Sequence, residues 1–418
     1  KIYDGNTTAA GTATATAGTV FAGDSLSGGT FTFDNKNVGA GNKTVTVSGV
    51  TVNDGNAGGN YNVTYASNTT STITPKTVIA GGITASHRTY DGTTNATVSA
   101  AGATLTGKVE GDDLSINTVT GAFANKHVGN AKTVALATTY VGADKDNYTL
   151  VDQAAATANI YKADLTLSTP NITKIYDGNT TAAGTASATS GTVFAGDSLS
   201  GGTFTFDNKN AGAGNKTVTV SGVTLTDGNA GGNYNVTYAS NTTSTINPYA
   251  VSLTGTRVYD GTANAAAGIF TMGALVGNET LTLSGTGTMA DKHVGTGKAV
   301  TIGTLSLGDG TNGGLASNYT FTGGTQTSDI TKADLMISTS NVIKTYDGTT
   351  TAAGTATVTA GTLFGADSIS GGTFAFTDKN AGIGDRTVTV SAVTLSDGNG
   401  GGNYAVTYAD NTTSTINP

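Results

Sequence analysis

The chain has 418 residues, with 61 glycines, four prolines, no cysteine, no tryptophan and 11% charged residues, for a net charge of -8. An acidic chain without a Lys/Arg cluster excludes phosphate-backbone binding, and the lack of cysteine excludes disulfides and thiolate metal sites. No apolar run approaches the 18 residues of a membrane helix, and the N-terminus lacks the basic and apolar regions of a signal peptide, so the chain reads as a mature or excised piece.

Threonine fills roughly a fifth of the chain and, with valine and glycine, favours short strands and tight turns over helix. Along the chain, Tyr-Asp-Gly recurs at Tyr3-Asp4-Gly5, Tyr90-Asp91-Gly92, Tyr176-Asp177-Gly178, Tyr259-Asp260-Gly261 and Tyr346-Asp347-Gly348, at intervals of 87, 86, 83 and 87 residues. Asn-Tyr follows at Tyr61, Tyr148, Tyr234, Tyr319 and Tyr404, 58 residues later in four cases and 60 in the fourth. Between them lie Asn35-Lys36, Asn125-Lys126, Asn208-Lys209, Asp291-Lys292 and Asp378-Lys379, each followed two residues on by Val or Ala and then Gly. Landmarks in constant register define five tandem repeats: 1–75, 76–161, 162–247, 248–331 and 332–418.

Residues 1–75 and 174–248 differ at six positions, and the fifth repeat resembles these two. The second and fourth share Lys-His-Val-Gly at Lys126–Gly129 and Lys292–Gly295, so two types alternate as A-B-A-B-A. Near-identical neighbours exchange strands readily, and a divergent copy between them separates the hazardous pairs; simple duplication of an A-B unit explains the order equally well.

The third repeat predicts the strands. Leu165–Ser168 alternates apolar and polar, is broken at Thr169-Pro170 and continues over Ile172–Tyr176. A small-residue strand covers Thr181–Thr189. Ser198–Phe206, Lys216–Leu225, Tyr234–Tyr238 and Ser244–Ile246 follow. Period-two alternation puts Val218, Val220, Tyr234, Val236 and Tyr238 inside, with Tyr61, Tyr148, Tyr234, Tyr319 and Tyr404 as recurring core residues. Six or seven strands in about 86 residues is the pattern of an immunoglobulin-like β-sandwich. The expected fold is all-β, a series of such sandwiches forming an extended rod. A β-solenoid would need a 20 to 30 residue period, which is absent.

The joints are short. Ile73-Thr74-Pro75, Ile160-Tyr161-Lys162, Ile246-Asn247-Pro248 and Ile330-Thr331-Lys332 leave two or three residues before the next strand, with no Gly/Ser linker. The first repeat lacks a counterpart to Ala163–Thr173, as in a longer array cut out of phase or a chain that accepts a strand from a partner.

No residue set reads as catalytic. In Tyr-Asp-Gly, Asp caps a turn, Gly supplies positive φ and Tyr plugs the end of the sandwich. His87, His127 and His293 lack metal-ligand spacing, and no Gly-x-Ser-x-Gly elbow occurs. No cofactor is expected. Asp54-Gly55-Asn56, Asp144–Asn147 and Asp309–Asn312 offer oxygens of the kind calcium takes, without matching an EF-hand. Lys36 and its equivalents read as strand-edge charges that block aggregation, or as partners in an intramolecular isopeptide bond. Thr-x-Thr runs such as Thr12–Thr16 fit exposed alternation and also a carbohydrate- or ice-binding face.

The Tyr-Asp-Gly hallmark, the period near 86 and the closing Asn-Tyr resemble the YDG-type and related mostly-bacterial immunoglobulin-like repeats of filamentous-haemagglutinin-like secreted proteins. The second and fourth repeats depart from the pattern in the middle, as at Gly277-Asn278-Glu279. The resemblance implies an extracellular adhesin on a bacterial surface. These repeats would form its stalk and contribute to adhesion or biofilm, with neighbouring repeats and other fibre copies as partners and recognition left to a separate domain. A filament built by strand donation is the alternative.

Overall fold

A computed structural model describes residues 1 to 418. The chain is all-β, with three single 3-10 turns and no α-helix. No helix is long and apolar enough to cross a membrane. Two compact units are distinguished, Lys1–Ser168 with Ala186–Gly202 and Gly222–Ala239, and Thr169–Thr185 with Thr203–Ser221 and Ser240–Pro418.

Within the first unit, residues 76–161 show how the sequence builds one repeat. Lys76–Gly81 pairs antiparallel with Thr104–Thr106 and parallel with Tyr148–Val151, giving a three-stranded sheet. Val78 and Ala80 on its inner face are buried while Thr77 and Ile79 face out. A second sheet runs in the order Arg88–Thr89, Ala155–Tyr161, Gly129–Val141, Ser115–Phe123, Asn95–Ala96. Its inner residues Phe123, Val134 and Ile160 lie in the core, each no more than 3% exposed.

Within the second unit, residues 332–418 repeat the scheme. Ala333–Thr339 sits between Ala356–Gly361 and Tyr404–Tyr408. Ile343–Thr345 pairs parallel with Asn411–Asn417 in the other sheet. Residues 248–331 depart from it: Leu253–Val258 pairs with both Phe270–Met272 and Gln326–Thr331, joining a six-stranded sheet. Residues 1–75 form a single four-stranded sheet of Thr8–Ala9, Ser25–Phe33, Gly39–Asn53 and Asn68–Ile73.

Three strand expectations need correction. Thr173–Ile175 does not continue Ala163–Ser168; the two lie in different sheets, because Pro170 cannot donate to a ladder and the chain changes layers there. Thr181–Thr189 is two strands, Thr181–Ala182 and Ser187–Ser190, also in different sheets. Gly184 lies between them, where a Cβ would come within 2.7 Å of Ile172. Finally, Tyr238 is 43% exposed and Val236 only half-buried. Their strand runs out over the core margin, where the Tyr238 hydroxyl takes the Val223 N–H at 3.2 Å.

Inter-repeat joints as the candidate functional site

The three sequence landmarks converge where one repeat meets the next. At the first joint the Tyr3 hydroxyl donates to Asp112 Oδ2 at 2.7 Å, and the Tyr148 hydroxyl donates to the same oxygen. Lys36 Nζ donates to Asp112 Oδ1 at 2.9 Å and lies 3.0 Å from Asp144. The Val38 N–H donates to Asn147 Oδ1 at 2.9 Å, and the Tyr148 hydroxyl accepts the Val109 N–H at 3.0 Å. The rings of Tyr3 and Tyr148 meet edge to face at 5.3 Å. Residues of the first repeat thus grip a loop acid, an asparagine and a tyrosine of the second.

The arrangement recurs. Asp197 receives Tyr90 at 2.8 Å, Tyr234 at 2.7 Å and Lys126 at 2.8 Å. Glu279 receives Tyr176 at 2.6 Å, Tyr319 at 2.7 Å and Lys209 at 2.8 Å. Asp367 receives Tyr259 at 2.8 Å and Tyr404 at 2.7 Å, with Lys292 3.7 Å away. Two joints lie in each unit. At the third, the longer Glu279 side chain spreads the two tyrosines over both of its oxygens. The departure from pattern at Gly277-Asn278-Glu279 therefore keeps the carboxylate in the joint.

The acids are almost wholly buried, with side chains of Asp112, Asp197, Glu279 and Asp367 at 4%, 0%, 6% and 3% exposure. Burial opposes ionisation of Asp112, but the hydrogen bonds from Tyr148, Lys36 and Tyr3 outweigh it and hold the carboxyl below the usual range. Asp197 and Glu279 are lowered by the same balance. Burial, then the bond to the acid, pushes Tyr3 and Tyr259 up to about 12. Lys36, Lys126 and Lys209 are raised by the carboxylates they face. Each hydroxyl bond to the charged acid contributes about 2 kcal/mol, and the partly solvated lysines add less.

Each residue of Tyr-Asp-Gly has a separate task. The tyrosine belongs to the core at the end of its own repeat and also crosses the joint: Tyr3, Tyr90, Tyr176 and Tyr259 are each 1% exposed, and Tyr3 clusters with Phe33 and Ile73 of its own repeat and with Leu114 and Tyr148 of the next. The aspartate stays local. Asp4, Asp91, Asp177, Asp260 and Asp347 accept the N–H two residues on and pair with Lys1, Arg88, Lys174, Arg257 and Lys344. The glycine serves both turn and joint. Gly5, Gly92, Gly178 and Gly261 have φ between 76° and 80°, and a Cβ on them would lie 2.8 to 2.9 Å from Val109, Phe194, Val276 and Phe364 of the next repeat.

Those neighbours distinguish two kinds of joint. Where a type A repeat precedes B, valine meets the glycine, and Asn37 or Asn210 accepts from Asn147 or Asn318 at 3.3 and 3.2 Å. Where B precedes A, phenylalanine meets the glycine, and His127 or His293 lies 3.3 and 3.1 Å from Asn233 or Asn403. The Lys-His-Val-Gly segments are thus joint residues.

Two sequence-predicted residues are placed differently. Tyr61 is only half-buried, because no strand of the chain pairs beside it; its hydroxyl still donates to Asp24 at 2.6 Å and accepts the Phe21 N–H. Tyr346 is 49% exposed, and a Cβ on Gly348 (φ 81°) would meet nothing, since no repeat of the chain covers that face. The lysine landmark is not a strand-edge charge. Lys36 Nζ faces the carboxylates of Asp112 and Asp144 across the joint. The role of the acids was missed in the sequence because each is bound by the Tyr-Asp-Gly tyrosine of the preceding repeat and not of its own. No group of three or more His, Cys, Asp or Glu side chains converges as a metal site.

Fold and joints define a tandem array of β-domains whose recurring motif fastens each domain to the next. The YDG domain family matches residues 1–70, 74–158, 161–244, 242–328 and 331–413, and the chain belongs to that family. Among curated proteins none matches the chain.

Proposed function

We propose that the chain is a stalk or fibre segment of a large secreted bacterial adhesin of the filamentous-haemagglutinin-like kind. It holds a distal recognition domain away from the cell surface and contributes to adhesion or biofilm matrix. The observation that carries this reading is the joint itself: the residues that recur in every repeat are spent on fastening repeats together at four joints. A chain whose repeated polar chemistry is buried between its own domains is suited to transmitting force and keeping reach, and we assign it no catalysis or cofactor.

Each repeat is read as an immunoglobulin-like sandwich and the array as an extended rod. The two-sheet order of residues 76–161, with its short strand parallel to the last one, supports the first part. The short joints support the second. Small-angle scattering is expected to give a maximum dimension on the order of 200 Å, from five domains of about 40 Å, each set by strands of about ten residues. A compact particle would overturn the stalk reading. Treatment with a chelator is expected to leave the melting temperature unchanged.

A further inference from the structure

The type A repeats share a loop at 54–60, 227–233 and 397–403 that runs from an aspartate to the asparagine of Asn-Tyr. In the last two, that asparagine belongs to a joint: Asn233 Oδ1 accepts the Val128 N–H and Asn403 Oδ1 the Val294 N–H, both at 3.0 Å. The loop at 397–403 is organised around Asp397, 2% exposed, whose carboxylate accepts the N–H groups of Asn399, Gly401 and Asn403 at 2.7, 2.8 and 2.9 Å. Asn399 Nδ2 donates to Asn403 Oδ1 at 2.9 Å. The Asn399 amide therefore steadies the oxygen that takes the bond across the joint.

One position sets this copy of the loop apart. Asn56 and Asn229 are followed by Ala57 and Ala230, whereas Asn399 is followed by Gly400. The backbone there is the same in all three, with φ of 55°, 50° and 59°. Asn399 and Gly400 are exposed, and the Gly400 N–H makes no hydrogen bond. Without a Cβ, glycine leaves its amide nitrogen unhindered toward the side chain of the residue before it. The chain's other Asn-Gly pair, Asn312-Gly313, differs in its contacts, since Asn312 Nδ2 donates to Asn278 O within its own repeat.

We propose that Asn399 is a site of spontaneous deamidation, and that its conversion loosens the joint between residues 248–331 and 332–418. The Gly400 nitrogen gives its proton to hydroxide and attacks Asn399 Cγ. The Cγ–Nδ2 bond then breaks, and Nδ2 takes a proton from water and leaves as ammonia. A second water opens the succinimide ring at either carbonyl, giving aspartate or isoaspartate, so the net change is one water in and one ammonia out. In both products the Nδ2 donor is gone. In the aspartate a carboxylate oxygen stands before Asn403 Oδ1, acceptor against acceptor. In the isoaspartate the main chain runs through Cγ and is one carbon longer, which shifts the Gly401 and Asn403 N–H groups relative to Asp397. Either way Asn403, 0% exposed, loses the support that holds its oxygen toward Val294.

The test is ageing of the full 418-residue chain in mildly alkaline buffer, well below its melting temperature, followed by peptide mass spectrometry and amide hydrogen exchange. The gain of about 1 Da that marks an amide turned to an acid should accumulate at Asn399 about tenfold faster than at Asn229. Gly400→Ala should slow it to the Asn229 rate, and Ala230 at φ 50° shows that the loop accepts alanine there. In the aged chain and in an Asn399→Asp variant, exchange should quicken at Val294 and over 397–403, and stay unchanged at Val128 and over 227–233. Equal rates at Asn399 and Asn229, or no slowing by Gly400→Ala, would overturn the site. Unchanged exchange at Val294 in both samples would overturn its effect on the joint.

Discussion

A buried carboxylate held by two tyrosine hydroxyls and a lysine is a demanding arrangement, because removing the acid strands three donors at once. Asp197→Ala should cost about 2 kcal/mol or more, read as a lower denaturation midpoint of the full chain. Tyr90→Phe keeps the edge-to-face ring contacts and removes one bond to the charged acid, so its cost should be about 2 kcal/mol. The glycines permit a cleaner comparison. Gly348→Ala meets only the left-handed backbone penalty of about 1–2 kcal/mol, while Gly92→Ala meets that and a clash with Phe194. A larger loss at Gly92 than at Gly348 in matched melts is the expected result; equal losses would remove the close approach from the account.

At the level of elements, the first strand of residues 76–161, 162–247 and 332–418 is the middle strand of a three-stranded sheet and its keystone. Leu167, on the middle strand of three and 0% exposed, should lose about 2–5 kcal/mol on Leu167→Ala. Exchange should quicken over Ser187–Ser190 and Tyr234–Tyr238, the strands paired to it. These strand positions were legible in the sequence: alternation located Ser198–Phe206 and Tyr234–Tyr238 with the bounds observed. Which sheet each strand joins was not, because alternation reports an inner face and says nothing of the partner. The layer changes near Pro170 and Gly184 rest on short breaks, 169–172 and 183–186.

For the whole molecule, the joints predict a stability plateau with two edges. Asp112, Asp197 and Glu279 have lowered folded-state pKa values, so their contribution is present above the unfolded carboxylate range near 4 and is lost as pH falls through the lower folded values. Tyr3 and Tyr259 are raised to about 12, so their contribution is full below the unfolded value near 10 and is lost as pH rises through about 12. Melting temperature should be nearly flat from about pH 5 to 9 and fall on both sides. A profile without the alkaline edge would mean that the hydroxyls do not hold the acids.

The sequence by itself determined the all-β class, the register of the repeats and the residue types that recur, since these follow from local propensity, turn chemistry and self-similarity along the chain. Only the tertiary structure decided what the recurring residues are for. Tyr3 and Asp112 lie 109 positions apart, the acid drifts relative to the Tyr-Asp-Gly motif, and Glu279 replaces it once. The acid recurs in every repeat, but nothing within one repeat shows that it is bound by the tyrosine of the repeat before, so Tyr-Asp-Gly reads as a turn until the neighbouring repeat is set against it.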